Sequence, residues 1–132
     1  MVTRTGGLQT IEGVVTSFRT TSFQNSLRGQ EVFFFGKGQC ATCHLPPYYT
    51  DNSMHNLHTE RFFKQELVNG MVMAGDGPIK TFPLRGIKDS PPYLHDGRLL
   101  TLDDTVEFFN LVLETKLTDP EKKDLVAFLL AL

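Results

Sequence analysis

Cys40-Ala41-Thr42-Cys43-His44 is the stretch on which the fold of this chain turns. It spells C-x-x-C-H, the attachment pattern of a c-type haem. Two thiols three positions apart lie on one side of a helical turn and can reach the two vinyl groups on one porphyrin edge. The next residue then points its imidazole under the ring, where a nitrogen binds iron as an axial ligand. On this reading Cys40 and Cys43 are thioether anchors and His44 is the proximal iron ligand.

Other readings compete for the same residues. Cys40, Cys43, His55 and His58 could form a Cys2His2 set, which would make the chain a zinc-binding interaction module. Only two residues separate those histidines, and Pro46-Pro47 works against a long finger helix. A redox dithiol would sit in a strand-helix-strand pattern, which does not surround these cysteines. A plain structural disulfide is the bland alternative. The specificity of the five-residue motif favours haem.

Composition bounds the rest. A chain of 132 residues is one domain, or one domain with a tail. A formal net charge of −2 gives no reason to expect nucleic acid or a membrane surface as partner. No apolar run is long enough to span a bilayer. Met1 to Gly7 lack the apolar region of a secretory signal. Haem of this type is usually attached outside the bacterial cytoplasm, so the expected location is the periplasm and the chain a mature form or part of a longer protein. Eleven phenylalanines and no tryptophan suit a small core packed against a large flat cofactor.

Working outward toward the N-terminus, residues 1–25 are rich in Thr, Ser, Gly and Gln and read as an extended arm, with or without one short helix, or as the remnant of a preceding domain. Residues 26–132 form the haem domain. Asn25-Ser26 begins a helix running to Phe35, and Gly36-Lys37-Gly38 ends it ahead of the cysteines.

On the other side of the motif, Leu45 to Asn52 is a polar, proline-bearing loop. A backbone carbonyl there would accept the His44 Nδ1 proton, with Pro46 and Pro47 as candidates. His55 and His58 are read as surface or hydrogen-bonding histidines rather than ligands. Glu60 to Asn69 is predicted to be a helix with Phe62, Phe63, Leu67 and Val68 inward and Gly70 closing it. The loop Met71 to Pro78 follows. A thioether often partners His in electron-carrying c cytochromes and raises the potential, so Met71 or Met73 is a candidate distal ligand; otherwise both fill gaps. In the loop Thr81 to Gly97, Asp96-Gly97 makes a tight turn. Arg85 is the candidate partner for a haem propionate, because guanidinium pairs bidentately with carboxylate; a solvated arginine is the alternative. His95 could ligate, relay a proton or pin its loop. Thr101 with Asp104, and Thr118 with Glu121, are capping boxes that start two helices. Their apolar faces are Val106, Phe109 and Leu113, with Phe108 beside them, and Leu125, Phe128, Leu129 and Leu132. The fold class is all-α: a cytochrome c-like helical domain wrapped round one covalently attached haem, with an extended N-terminal arm.

Three further segments follow the haem motif in order: Tyr48-Tyr49-Thr50-Asp51-Asn52 with His55-Asn56, Phe82-Pro83-Leu84-Arg85-Gly86, and Pro92-Tyr93-Leu94-His95-Asp96-Gly97 with Thr101-Leu102. The series resembles the C-terminal haem domain of the bacterial di-haem cytochrome c peroxidases and the related methylamine-utilisation enzyme, over Leu27 to Leu132. That resemblance implies a domain that takes electrons from a small donor protein and passes them to a peroxidatic haem in a preceding domain. It implies one haem c in this chain, and a calcium ion at the domain junction held partly by carbonyls around Ser90 and Pro92. Joined to a second haem domain, the chain would belong to a peroxidase-like oxidoreductase; alone, it would be an electron carrier.

Two departures qualify the resemblance. The chain carries one haem motif rather than two. The family also places a distal Met or Tyr on the helix after the H-D-G turn, where the matching residue is Phe109, which cannot bind iron. The distal ligand would then come from Met71 or Met73, or the sixth position is open. An open site would make this haem itself a peroxide-reducing centre, with His95 or Glu66 as the distal proton carrier.

Overall fold

The stretch Gly7–Phe35 contains no proline and forms helix α1, 29 residues long. The computed structural model describes residues 7–62, 64–73 and 77–132, with side chains described from Thr21 onward except that of Met73. Helices α2 (Leu102–Val112) and α3 (Asp119–Leu129) complete the helical part. Among the described residues, four short strands lie between α1 and α2. Strand β1 (Met54–His55) pairs antiparallel with β4 (Ile79–Lys80), and β2 (Glu66–Val68) with β3 (Met71–Met73). The fold is mainly helical, with strand content that the all-α expectation left out. Among the described residues no helix is long and apolar enough to cross a membrane.

Helix α1 starts well before the Asn25-Ser26 signal, so residues 7–25 are helical where the sequence suggested an extended arm; residues 1–6 lie outside the described residues. Ser and Thr are weak helix formers but not breakers, and no proline interrupts them here. The predicted end holds: Gly36 N donates to the Val32 carbonyl at 3.1 Å and the helix stops at Phe35.

The Glu60–Asn69 helix is a correction. Thr59–Phe62 is a short 3-10 turn, and Glu66–Val68 is a strand that turns through Asn69-Gly70 into β3. Both turn residues have positive φ, 51° and 78°. A two-residue Asn-Gly loop with that geometry matches the right-handed twist of a hairpin, and it outweighs the apolar spacing that suggested a helix. Met71–Met73 is accordingly a strand rather than a loop. Phe62, Leu67 and Val68 are exposed rather than inward, and Phe63 lies outside the described residues.

Both capping boxes are present, with each threonine hydroxyl accepting from the third helical N–H and the carboxylate reaching back to the threonine N–H. Leu102, Val106 and Val112 carry the buried face of α2, and Leu113, placed on that face from the sequence, is exposed at the helix end. Leu125, Phe128 and Leu129 of α3 are buried as expected.

The helices meet closely. A Cβ on Gly29 of α1 would lie 1.9 Å from the Asp124 carbonyl oxygen and 2.8 Å from Phe128 Cβ on α3. Beside this crossing, Arg28 grips the Asp124 carboxylate through Nε at 2.7 Å and a terminal nitrogen at 2.9 Å. One turn on, Phe33 (1% exposed) packs its ring 5.2 Å from that of Phe128. Helix propensity alone would favour Gly29→Ala by about 1 kcal/mol. Sterics oppose it, because backbone cannot yield as a flexible side chain does. We expect Gly29→Ala to destabilise the protein by about 1–3 kcal/mol, read as a fall in the urea midpoint; an unchanged or raised midpoint would show that the helices do not cross at this residue.

Candidate haem site

The glycine break after α1 reverses the chain. Gln39 N donates to the Gly36 carbonyl at 3.2 Å, and Gln39 itself is left-handed with φ 47°. Cys40–Thr42 then forms a 3-10 turn in which the Cys43 and His44 N–H groups both donate to the Cys40 carbonyl, at 3.3 and 2.9 Å. Gly38 is buried against this turn, and a Cβ there would lie 3.1 Å from Cys40 Sγ. Cys40 and Cys43 are unbridged thiols, both partly buried. Burial pushes the Cys40 thiol up to about 11 and also raises that of Cys43, with the Asp51 charge adding to the latter.

His44 is held from one side. Its Nδ1–H donates to the Tyr49 carbonyl at 2.8 Å, and Phe33 lies 6.5 Å from its ring. Fixing Nδ1 as the protonated nitrogen leaves the lone pair on Nε2, the arrangement a metal-binding imidazole needs. Burial lowers the pKa of His44, opposed by the Tyr49 carbonyl, the Asp51 charge and the Phe82 carbonyl. A neutral imidazole is the form that can ligate.

The acceptor is Tyr49, four residues into a loop whose prolines were the sequence candidates. Tyr49 is left-handed, φ 59°, a conformation few bulky residues adopt, and it turns that carbonyl toward the imidazole. Its neighbour Thr50 anchors the loop: Thr50 N donates to the Leu45 carbonyl at 3.1 Å, Thr50 Oγ1 donates to the Thr81 carbonyl at 2.7 Å, and Asn52 N donates to Thr50 Oγ1 at 2.9 Å. No local sequence signal identifies Tyr49, because the carbonyl is common to every residue and only the strained turn aims it.

The remaining candidates are dispersed. His55 Nε2 pairs with Asp51 Oδ2 at 2.6 Å and His58 Nδ1 with Glu60 Oε1 at 3.2 Å, as expected of hydrogen-bonding histidines. The proposed Cys2His2 set is not brought together among the described residues; the group that converges within 4.8 Å is Cys43, Asp51 and His55. Arg85 donates to the Pro47 carbonyl at 2.8 Å and lies 5.5 Å over the Tyr49 ring. A guanidinium has five N–H donors, so this bond leaves others for a carboxylate. Met71 is exposed on β3, Met73 sits opposite Glu66 in the hairpin, and Glu66 and His95 are exposed. Phe109 lies on α2, partly buried and edge-on to Phe108 at 5.5 Å. Ser90 closes a short turn by donating to the Ile87 carbonyl.

These residues fit a haem c. Two free thiols and an imidazole share one turn, the imidazole is oriented through Nδ1, and apolar surface stands open nearby. Phe82, whose carbonyl acts on His44, is 65% exposed, and elsewhere on the chain Leu67 of the hairpin is 74% exposed. Several large apolar side chains left in water on so small a chain call for a covering group. A flat macrocycle is one such group.

Comparison with known proteins gives a consistent picture. The chain is 30% identical to the cytochrome-c peroxidase IdrP2 of Denitromonas iodatirespirans over 141 aligned residues, covering 79% of this chain and 38% of that protein. It is 31% identical to the methylamine utilization protein MauG of Methylorubrum extorquens, over 74% of this chain and 32% of MauG. A shorter match, 42% identical over 67 residues, is to the cytochrome-c peroxidase IdrP1 of the first organism. The chain thus spans about a third of the length of these relatives. No family model and no solved structure matches it.

Thr50 tests the local architecture. Thr50→Val keeps the shape but leaves the Thr81 carbonyl and the Asn52 N–H without their partner, so we expect a loss of about 1–3 kcal/mol in denaturant unfolding. A loss within experimental error would mean that the loop stands without this clamp.

Proposed function

We propose that this chain, which belongs to the family of the bacterial cytochrome c peroxidases and MauG, is a c-type haem domain that carries single electrons and serves as the C-terminal electron-transfer half of a di-haem peroxidase-like protein. The observation that carries the reading is the single turn bearing Cys40, Cys43 and His44, with His44 Nδ1–H tied to the Tyr49 carbonyl. When bound, haem supplies a one-electron redox centre. Cys40 and Cys43 would hold the ring through two thioethers, each S–H adding across a vinyl group. His44 Nε2 would be the iron ligand, with the Tyr49 carbonyl orienting the imidazole and keeping that nitrogen basic. Arg85 directs its remaining donors to a propionate, and Met71 or Met73 is the candidate for the distal position.

The rest of the assignment follows the same line. The relatives extend well beyond the aligned part, which accommodates a second haem domain. A small redox protein would exchange electrons at the exposed haem edge, in the periplasm where c-type haem is attached. Carbonyls around Ser90 and Pro92 would contribute to a calcium ion at the domain junction.

A second reading rests on Phe109. It occupies the position on α2 where the family resemblance calls for a donor, and a phenyl ring offers none. If Met71 and Met73 also leave the iron free, this haem is an open site that could meet hydrogen peroxide directly, with His95 or Glu66 as proton carrier. Rapid cyanide binding to the oxidised protein would mark the open site, and slow or absent binding the six-coordinate carrier.

Matured protein should gain the mass of one haem and keep its absorption through acid-acetone extraction. His44→Ala should lose the low-spin spectrum while retaining covalent haem. Absence of added haem mass would overturn this reading.

A further inference from the structure

We propose that Asp51 is a positioning residue for the proximal ligand: its carboxylate braces the loop that offers the Tyr49 carbonyl to His44, and its fixed negative charge lowers the reduction potential of the haem. The inference rests on the reading that His44 binds iron.

The geometry is that of a brace. Asp51 Oδ1 accepts from Ser53 N at 2.9 Å, Oδ2 accepts from His55 Nε2 at 2.6 Å, and the Asp51 carbonyl accepts from Ser53 Oγ at 3.3 Å. His55 belongs to β1 and pairs with Ile79 of β4, while Thr81 N donates to the Ser53 carbonyl at 3.0 Å. One side chain therefore ties the segment between the left-handed residues Tyr49 and Asn52 to the β1–β4 ladder. A free loop would relax from those conformations, and with it the direction of the Tyr49 carbonyl.

The same carboxylate is placed to act electrostatically. It is only 17% exposed, and its oxygen lies within 4.8 Å of Cys43 Sγ, one residue from the ligand. The Ser53 N–H, then the His55 and Thr81 side chains, hold its pKa down at about 2 against the cost of burial, so it is an anion throughout the neutral range. Oxidised iron carries one more positive charge than reduced iron. A fixed anion nearby stabilises the oxidised state more, and partial burial lessens the screening that would otherwise erase the effect. His55 opposes it, because its N–H donor faces the carboxylate and offsets part of that charge.

Two variants of the haem-loaded protein give opposite signs. Asp51→Asn keeps an oxygen for Ser53 N and removes the charge; it should favour reduction on the order of tenfold, about 59 mV upward for one electron. His55→Leu leaves the anion without its partner and should move the potential downward. Spectroelectrochemical titration reads both, with the absorption spectrum reporting whether the ligands are intact. A shift of the same sign in both variants, or in neither, overturns the proposal and leaves Asp51 a purely structural residue. Should Asp51→Asn fail to load haem, the sign of the His55→Leu shift decides. Wild-type protein without covalent haem would instead overturn the functional reading itself, before any potential is measured.

Discussion

The close passage of α1 over α3 at Gly29 is the constraint from which the site descends. Backbone meets backbone there, with no room for a Cβ, and the bidentate Arg28–Asp124 pair holds the register alongside. That fixes where the last turn of α1 lies, and so where Phe33 points. Phe33 is the packing hub: its ring touches those of Phe128, Tyr49 and His44. The glycine-rich break after Phe35 then brings the cysteine turn back against the same cluster. Helix packing thus reaches the imidazole through one buried ring.

Around His44 the polar interactions do a different task. The 45–53 loop adopts conformations that isolated residues of its kind avoid, and four side-chain oxygens, two from Thr50 and Ser53 and two from Asp51, hold it there. The outcome is a carbonyl aimed at Nδ1 and an anion beside Cys43. A redox centre benefits from such rigidity, because little reorganisation accompanies the change of charge on iron. The chain's kinship with cytochrome c peroxidases and MauG agrees with the proposal that this arrangement orients one nitrogen toward iron. Phe109 on α2 packs edge-on to Phe108, and the β2–β3 hairpin leaves Leu67 and Met71 exposed.

The exposed apolar residues belong to the same account. Phe82 and Leu67 are too large to be left in water without consequence. A macrocycle, a neighbouring domain or both would cover them, which is consistent with a chain that matches about a third of its relatives' length. Stability and haem occupancy would then be coupled, since a group held only by the folded chain stabilises it.

By itself the amino-acid sequence marked Cys40 to His44 as a candidate haem-attachment turn, because C-x-x-C-H needs only local spacing to be legible. It also determined the starts of α2 and α3, where Thr101 with Asp104 and Thr118 with Glu121 form caps within four residues. Local signals of that kind are complete in one stretch of chain. Tertiary structure alone decided that Tyr49, and not a proline, accepts from His44, since that choice depends on a strained φ beside Thr50, whose hydroxyl bonds Thr81 thirty-one residues on. It decided that Asp51 and His55 face Cys43, and that Gly29 is a contact point and not a weak spot in a helix. The Asn69-Gly70 hairpin stands between the two: its turn signal was present in the sequence, but the apolar spacing of Phe62, Leu67 and Val68 concealed it until the backbone settled the conflict.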